Sequence, residues 1–245
     1  MREIDKAEQL LKTLVNDYPY VADYRFELAD TYAMLDVRDL PPEDFPRAEQ
    51  RLRAALEQSA DLVDGHPYAP DYISLHIHIL HKLARILRDT PPDRRDADVA
   101  RMDEAGQLYQ EAIRRQAALV KRFPENVAYR FWLATIRLSS AGFLLERRQP
   151  AEARKLLEAA VTETDQFYQA HQDATSLRPV LHGLYLRLSE ARDRVEDDQG
   201  AREAKQKADK LGPPPRPDGR EDDGPPDRHR PPPRGPGGPP LDGGD

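Results

Sequence analysis

The stretch Arg122-Phe-Pro-Glu-Asn-Val-Ala-Tyr-Arg-Phe-Trp-Leu-Ala134 decides how the rest of the chain is read. A proline inside a helical pattern ends it, because it lacks the N–H and its ring clashes with the preceding turn. Pro124 does this, and Tyr129, five residues on, opens a new apolar run. Two earlier stretches share the layout: Asp17-Tyr-Pro-Tyr-Val-Ala-Asp-Tyr-Arg-Phe-Glu-Leu-Ala29, and Gly65-His-Pro-Tyr-Ala-Pro-Asp-Tyr-Ile-Ser-Leu-His-Ile77.

Placed in one register, Pro19, Pro67 and Pro124 are 48 and 57 residues apart and are followed by Tyr24, Tyr72 and Tyr129. Five and four residues before the prolines stand Leu14-Val15, Leu62-Val63 and Leu119-Val120, and twelve before stand Ala7, Ala55 and Ala112. A fourth, decayed copy has Gln172 in place of the proline, with Ala160 and Phe167-Tyr168 at the matching offsets.

Working outward, apolar residues recur at helical spacing. The pattern predicts helices over 3–18, 22–37, 47–64, 71–88, 97–122, 127–147, 150–171 and 177–195, with a short one over 201–211. Loops are expected at 38–46 and 90–96, where prolines cluster. The fourth helix is apolar over much of its circumference and is expected to be deeply buried. Strand signals are essentially absent.

Composition sets outer bounds. The formal net charge of −7 argues against a general phosphate-binding surface and so against nucleic acid. The lack of cysteine removes disulfides, thiolate metal sites and cysteine nucleophiles. The charged start, Met1-Arg-Glu-Ile-Asp5, has no signal-peptide core, and no apolar run reaches the roughly 20 residues of a membrane span. A soluble, cytoplasmic chain is expected. Its last 34 residues hold 12 of the 23 prolines, and five Arg against seven Asp/Glu. With Leu241 as the one aliphatic side chain, residues 212–245 are expected to be a disordered proline-rich tail, either a spacer or a ligand for an aromatic groove.

The repeat resembles the tetratricopeptide repeat, a helix–turn–helix unit with small residues where helices pack closely. Leu28-Ala29-Tyr32 and Leu133-Ala134 match that family's first-helix positions, and His76-Ile77-Leu80 matches poorly. The second-helix alanine maps to Ala7, Ala55, Ala112 and Ala160, and the closing proline to Pro19, Pro67 and Pro124. The departure is length, since the family unit has about 34 residues. The likeness is strongest to divergent repeat regions of large bacterial signalling proteins such as serine/threonine kinases. In later copies the helix before the proline starts about 19 residues upstream, so the first copy is clipped. Either its first helix is short or the chain is a piece of a longer protein.

The resemblance implies an all-α fold: a right-handed stack of about four antiparallel helix pairs over residues 1–211. The first helices of the pairs would line a concave groove. Carried over by offset from the proline, the groove positions include Phe26, Asp30, Met34, His78, His81, Lys82, Phe131 and Thr135. Such a mixture suits a peptide or protein partner. His78 and His81 share a helix face, but two imidazoles fall short of the three or four ligands zinc takes. No metal or other cofactor is expected, and the two histidines have a packing or groove role. Tyr24-Arg25 and Tyr129-Arg130 recur at a fixed offset and are expected to pack. Trp132 is expected in the core or between repeats. With no phosphate loop or catalytic constellation, the expected function is a non-catalytic protein-interaction scaffold. The alternative is a regulatory or sensor repeat region of a larger bacterial signalling protein.

Overall fold

The computed structural model describes residues 2–34, 40–90 and 95–212, all of it helix and short connections. The expected tail lies outside the described residues from 213 onward, as do parts of the two expected loops. The helices are α1 (Arg2–Asp17), α2 (Ala22–Ala33), α3 (Phe45–Gly65), α4 (Pro70–Asp89), α5 (Arg95–Arg122), α6 (Val127–Glu146), α7 (Pro150–Ala170), α8 (Leu177–Asp193) and α9 (Asp198–Leu211). Among the described residues there is no strand, and no helix is long and apolar enough to cross a membrane.

Boundaries follow from local chemistry. Helix α3 starts two residues earlier than the sequence pattern suggests, because Pro46 falls in its first turn, where the missing N–H is harmless. Pro70 and Pro150 open α4 and α7 in the same way. Asn126 caps α6 by accepting the Tyr129 N–H at 3.1 Å. Helix α9 begins at Asp198 rather than Ala201, since Asp197 caps it through the Gly200 N–H at 3.0 Å.

The repeat register corresponds to one turn used four times. The N–H of the residue before the proline bonds four residues back: Tyr18 to Leu14, His66 to Leu62 and Phe123 to Leu119, at 2.8–2.9 Å. Its carbonyl accepts from three residues on, from Val21, Ala69 and Asn126 at 3.1 Å. His171 repeats both bonds, to Phe167 at 3.0 Å and from Ala174 at 2.9 Å, although Gln172 replaces the proline. Each tyrosine then folds its ring onto the ring before the proline. The pairs are Tyr24–Tyr18, Tyr72–His66 and Tyr129–Phe123, with centroids 6.1, 5.3 and 5.7 Å apart. The expected packing role of these tyrosines is thereby explained. Arg25 and Arg130 instead reach forward, to Asp61 on α3 at 2.8 Å and over the Phe167 ring on α7 at 4.0 Å.

Consecutive helices pack in sequence. In each pair we call α2, α4, α6 and α8 the A helices and α3, α5, α7 and α9 the B helices. Neighbouring A helices also touch each other, α2 on α4, α4 on α6 and α6 on α8. Helices α3 and α5 meet instead through long side chains, with Arg53 bidentate on Glu104 at 2.7 and 2.8 Å and Arg101 on Glu49 at 2.9 Å. The A helices therefore form the closer layer, as on the inner side of a curved stack. This is a tetratricopeptide-like stack of helix pairs, read from the helix order and packing of the chain itself.

A helices belong to two cores at once, which makes the stack continuous. Leu75 and Ile79 of α4 join the core with α2 and α3, while Ile77, Leu80 and Leu83 join the core with α5 and α6. Ile136 and Phe143 of α6 face that second core, and Ala134, Ala141 and Leu145 face a third with α7, α8 and α9. Half of the 20 residues of α4 are buried, as its apolar circumference requires. The alanines at the repeat position, Ala55, Ala112 and Ala160, are fully buried. Ala7 is exposed, and Leu10 beside it is 62% exposed. The positions equivalent to Leu10 in α3 and α7, Gln58 and Glu163, contact the A helix of their own pair through Arg25 and Arg137. No described helix occupies that side of α1.

Candidate functional site

The candidate site is the layer of A helices. Along it the expected groove residues fall into three groups. At the start, Phe26 of α2 lies half-buried against Tyr72 of α4, centroids 5.6 Å apart. Asp30 is half-buried and Met34 is 62% exposed. The Lys82 ammonium donates to the Ala33 carbonyl at the end of α2. A cation there satisfies a carbonyl that the helix itself leaves open. Lys82 is thus a tie between α4 and α2.

In the middle, the His78 ring sits 4.1 Å from Trp132, whose indole meets Phe131 edge-on at 5.7 Å. Trp132 lies between repeats, half-buried. Thr135 donates its hydroxyl to the Phe131 carbonyl at 2.9 Å. His81 is only 6% exposed and shares a hydrogen bond with the Ser139 hydroxyl at 3.0 Å, with Tyr109 behind it. His76, also buried, shares one with Ser59 at 2.9 Å.

The histidines are held neutral. Burial pushes His76 and His78 down to about 4, assisted by Arg115 and Lys82 respectively. Burial takes His81 to about 3, with Arg85, His78, Arg88 and Lys82 adding to the effect. Among the described residues no three His, Asp or Glu side chains gather as a metal site would need. His81 already spends a ring nitrogen on Ser139.

The third group joins the expected His81 and Thr135 to residues outside the sequence expectation. Between the later turns of α4, α6 and α8 opens a cleft of about 590 Å³. His81, Ser139, Thr135 and Leu138 line it together with Arg85, Arg88 and Arg187. Arg88 is neutralised by Asp89 at 2.6 Å and Arg187 by Glu190 at 2.7 Å. Arg85 has no ion pair among the described residues. The sequence signal for this cleft is Gly142, a glycine inside an apolar helix rather than beyond its end.

A larger cavity, about 670 Å³, lies on the other side of α6, where α5 and α7 diverge. Met102, Ile113, Phe143, Leu144 and Leu156 line it, and a 2.7 Å Arg147–Asp103 pair closes one end. Size alone favours this groove. The smaller cleft is the one lined by Arg85, a cation with no ion pair among the described residues.

No protein-family profile matches the chain, and no curated protein matches it. Solved structures do. A thermophilic TPR protein from Thermus thermophilus aligns with a TM-score of 0.37 at 16% identity, over 84% of this chain and 90% of that one. BtubC from P. vanneervenii aligns with a TM-score of 0.34 at 18% identity, over 88% and 92%. The DHF58 filament aligns with a TM-score of 0.41 at 16% identity, over 84% and 94%. These are likenesses of helical stacking, and scores of this size add nothing to the architecture described above.

Proposed function

We propose that residues 1–211 form a non-catalytic, cytoplasmic scaffold that binds a peptide or protein partner along the layer of A helices. The candidate contacts are Phe26, Asp30, Met34, His78, Lys82, Phe131 and Thr135, with His81 beneath them. The observation that supports this reading is that aromatic and polar side chains in the layer stay half-buried, with no described element over them. Phe26–Tyr72 and His78–Trp132–Phe131 span adjacent repeats in this way. Half-buried aromatics next to ionic groups are the composition of protein-binding surfaces. A stack of this kind also offers a long surface in place of one enclosed pocket.

The test is affinity capture followed by mass spectrometry with three proteins. They are the wild type, a Met34→Glu/Ala128→Arg variant on the A-helix layer, and a Gln107→Arg/Lys155→Glu variant on the B helices. All four positions are exposed, so the fold is retained. Loss of the same partner from the first variant only is the expected result. Identical recovery from all three would mean that the A-helix layer is not the binding face.

A further inference from the structure

We propose that the cleft between α4, α6 and α8 is a built site for an acidic side chain of a peptide, with Arg85 as its counter-ion and Gly142 holding it open. This rests on the reading of the A-helix layer as a binding face and names the chemistry recognised at its C-terminal end.

Three observations converge on the cleft. First, Arg85 stands alone. Its neighbours Arg88 and Arg187 have carboxylates at 2.6 and 2.7 Å, whereas Arg85 has no ion pair among the described residues. A guanidinium presents a planar fork of donors that matches a carboxylate bidentately. Second, Gly142 stands within α6, fifth from its C-terminal end, where glycine costs about 0.5–1 kcal/mol relative to alanine. Packing does not explain it, since a Cβ built there meets nothing within 4 Å. The contrast is Gly183 on α8, where a Cβ would meet the end of the Leu138 side chain at 2.9 Å, so that leucine would have to move aside. Gly142 leaves space, and the space is the cleft. Third, Leu138 and Leu186 supply apolar walls beside the charge, and Leu186 is 38% exposed. The volume of about 590 Å³ lies in the range of small ligand pockets and holds a few residues.

The chain's net charge of −7 does not oppose this. Charges farther away than about 8 Å are largely screened at physiological salt, so the cleft's own groups decide. Arg85, Arg88 and Arg187 face it against Glu190 as the acidic lining residue. Arg85 also lies outside the groove positions taken over from the shorter family repeat. It stands three residues beyond Lys82 on α4, beside the expected His81 and Thr135 in the cleft lining.

The experiment is fluorescence anisotropy on the full chain with a fluorescein-labelled octapeptide of alternating glutamate and leucine. An octapeptide of alternating lysine and leucine is the counter-probe. The acidic peptide is expected to bind, more weakly as salt rises, and the basic one at least tenfold more weakly. Arg85→Ala should cost tenfold or more, with Arg85→Lys intermediate. Gly142→Leu should abolish binding by filling the cleft, and Gly142→Ala should weaken it less. Thermal melts confirm that each variant is folded. Gly106→Ala, on the opposite side of α6, should bind like the wild type. No binding of the acidic peptide, equal binding of the basic one, or full affinity in Arg85→Ala would each overturn the proposal. The captured-partner experiment separates the two readings. If the Met34→Glu/Ala128→Arg variant loses its partner while the wild type ignores the acidic peptide, the binding face stands and the cleft assignment falls.

Discussion

Helix α6 presents different things to its two sides. Toward α4 and α8 it offers Gly142, Ser139 and Thr135, beside the neutral His81 and an arginine, Arg85, with no ion pair among the described residues. Toward α5 and α7 it offers Phe143 and Leu144 to a wider, greasier groove. The second side is larger and the first is chemically richer. In a helical stack the gap between B helices is a geometric consequence of curvature, because the outer layer spreads. A gap between A helices runs against curvature and has to be built by removing a side chain.

The largest expected effect concerns acid. His76, His78 and His81 all belong to α4, and α5 and α7 contain no histidine. Their native forms are neutral down to about pH 4, 4 and 3. Unfolded imidazoles take up a proton near 6.5. As pH falls below 6.5 the unfolded chain therefore binds protons the native chain does not, and stability drops. The expected loss is roughly 2 kcal/mol per histidine by pH 5. Urea unfolding at pH 7 and 5 measures it, and His76→Gln or His81→Gln should flatten the dependence. An unchanged pH dependence in those variants would contradict the buried neutral assignment.

Next comes Phe143, 4% exposed and in tilted ring contact with Tyr109, centroids 5.6 Å apart. Phe143→Ala should lose about 3–5 kcal/mol in the same urea assay, with no change in acidic-peptide affinity per folded molecule. A smaller contrast uses the repeat alanines. Ala112→Leu overpacks a closed helix pair and should cost about 1–3 kcal/mol. Ala7→Leu, at the equivalent but exposed position, should stay within about 0.5 kcal/mol. Equal costs would mean that α1 is covered after all. A further small effect has the opposite sign. Gly142→Ala should stabilise by about 0.5–1 kcal/mol, because the site has room for a methyl group and the unfolded chain loses freedom.

Most of the fold is legible in the sequence. Period, prolines and the alanines mark each pair, and helix ends fall within a few residues of expectation. The start of α3 departs from it because Pro46 acts as a first-turn residue there and not as a breaker. The rings before the prolines, Tyr18, His66 and Phe123, are in plain sight, but their role emerges only when each tyrosine folds back on them. The functional layer is harder to read. Helical spacing puts His78 and His81 on one face, yet the burial of His81 depends on Ser139, 58 residues away. Arg85 escapes the sequence reading because family positions stop short of the later turns of α4. Gly142 carries a signal, a glycine inside a helix without a turn to explain it.

The central claim is that a partner docks on the α4–α6–α8 side of α6. Leucine-methyl NMR on the full chain, titrated with the glutamate–leucine octapeptide, tests it most directly. Shifts at Leu138 and Leu186 with Leu144 and Leu156 unmoved are the predicted result. Shifts confined to Leu144 and Leu156 would place the docking site in the outer groove and contradict the account.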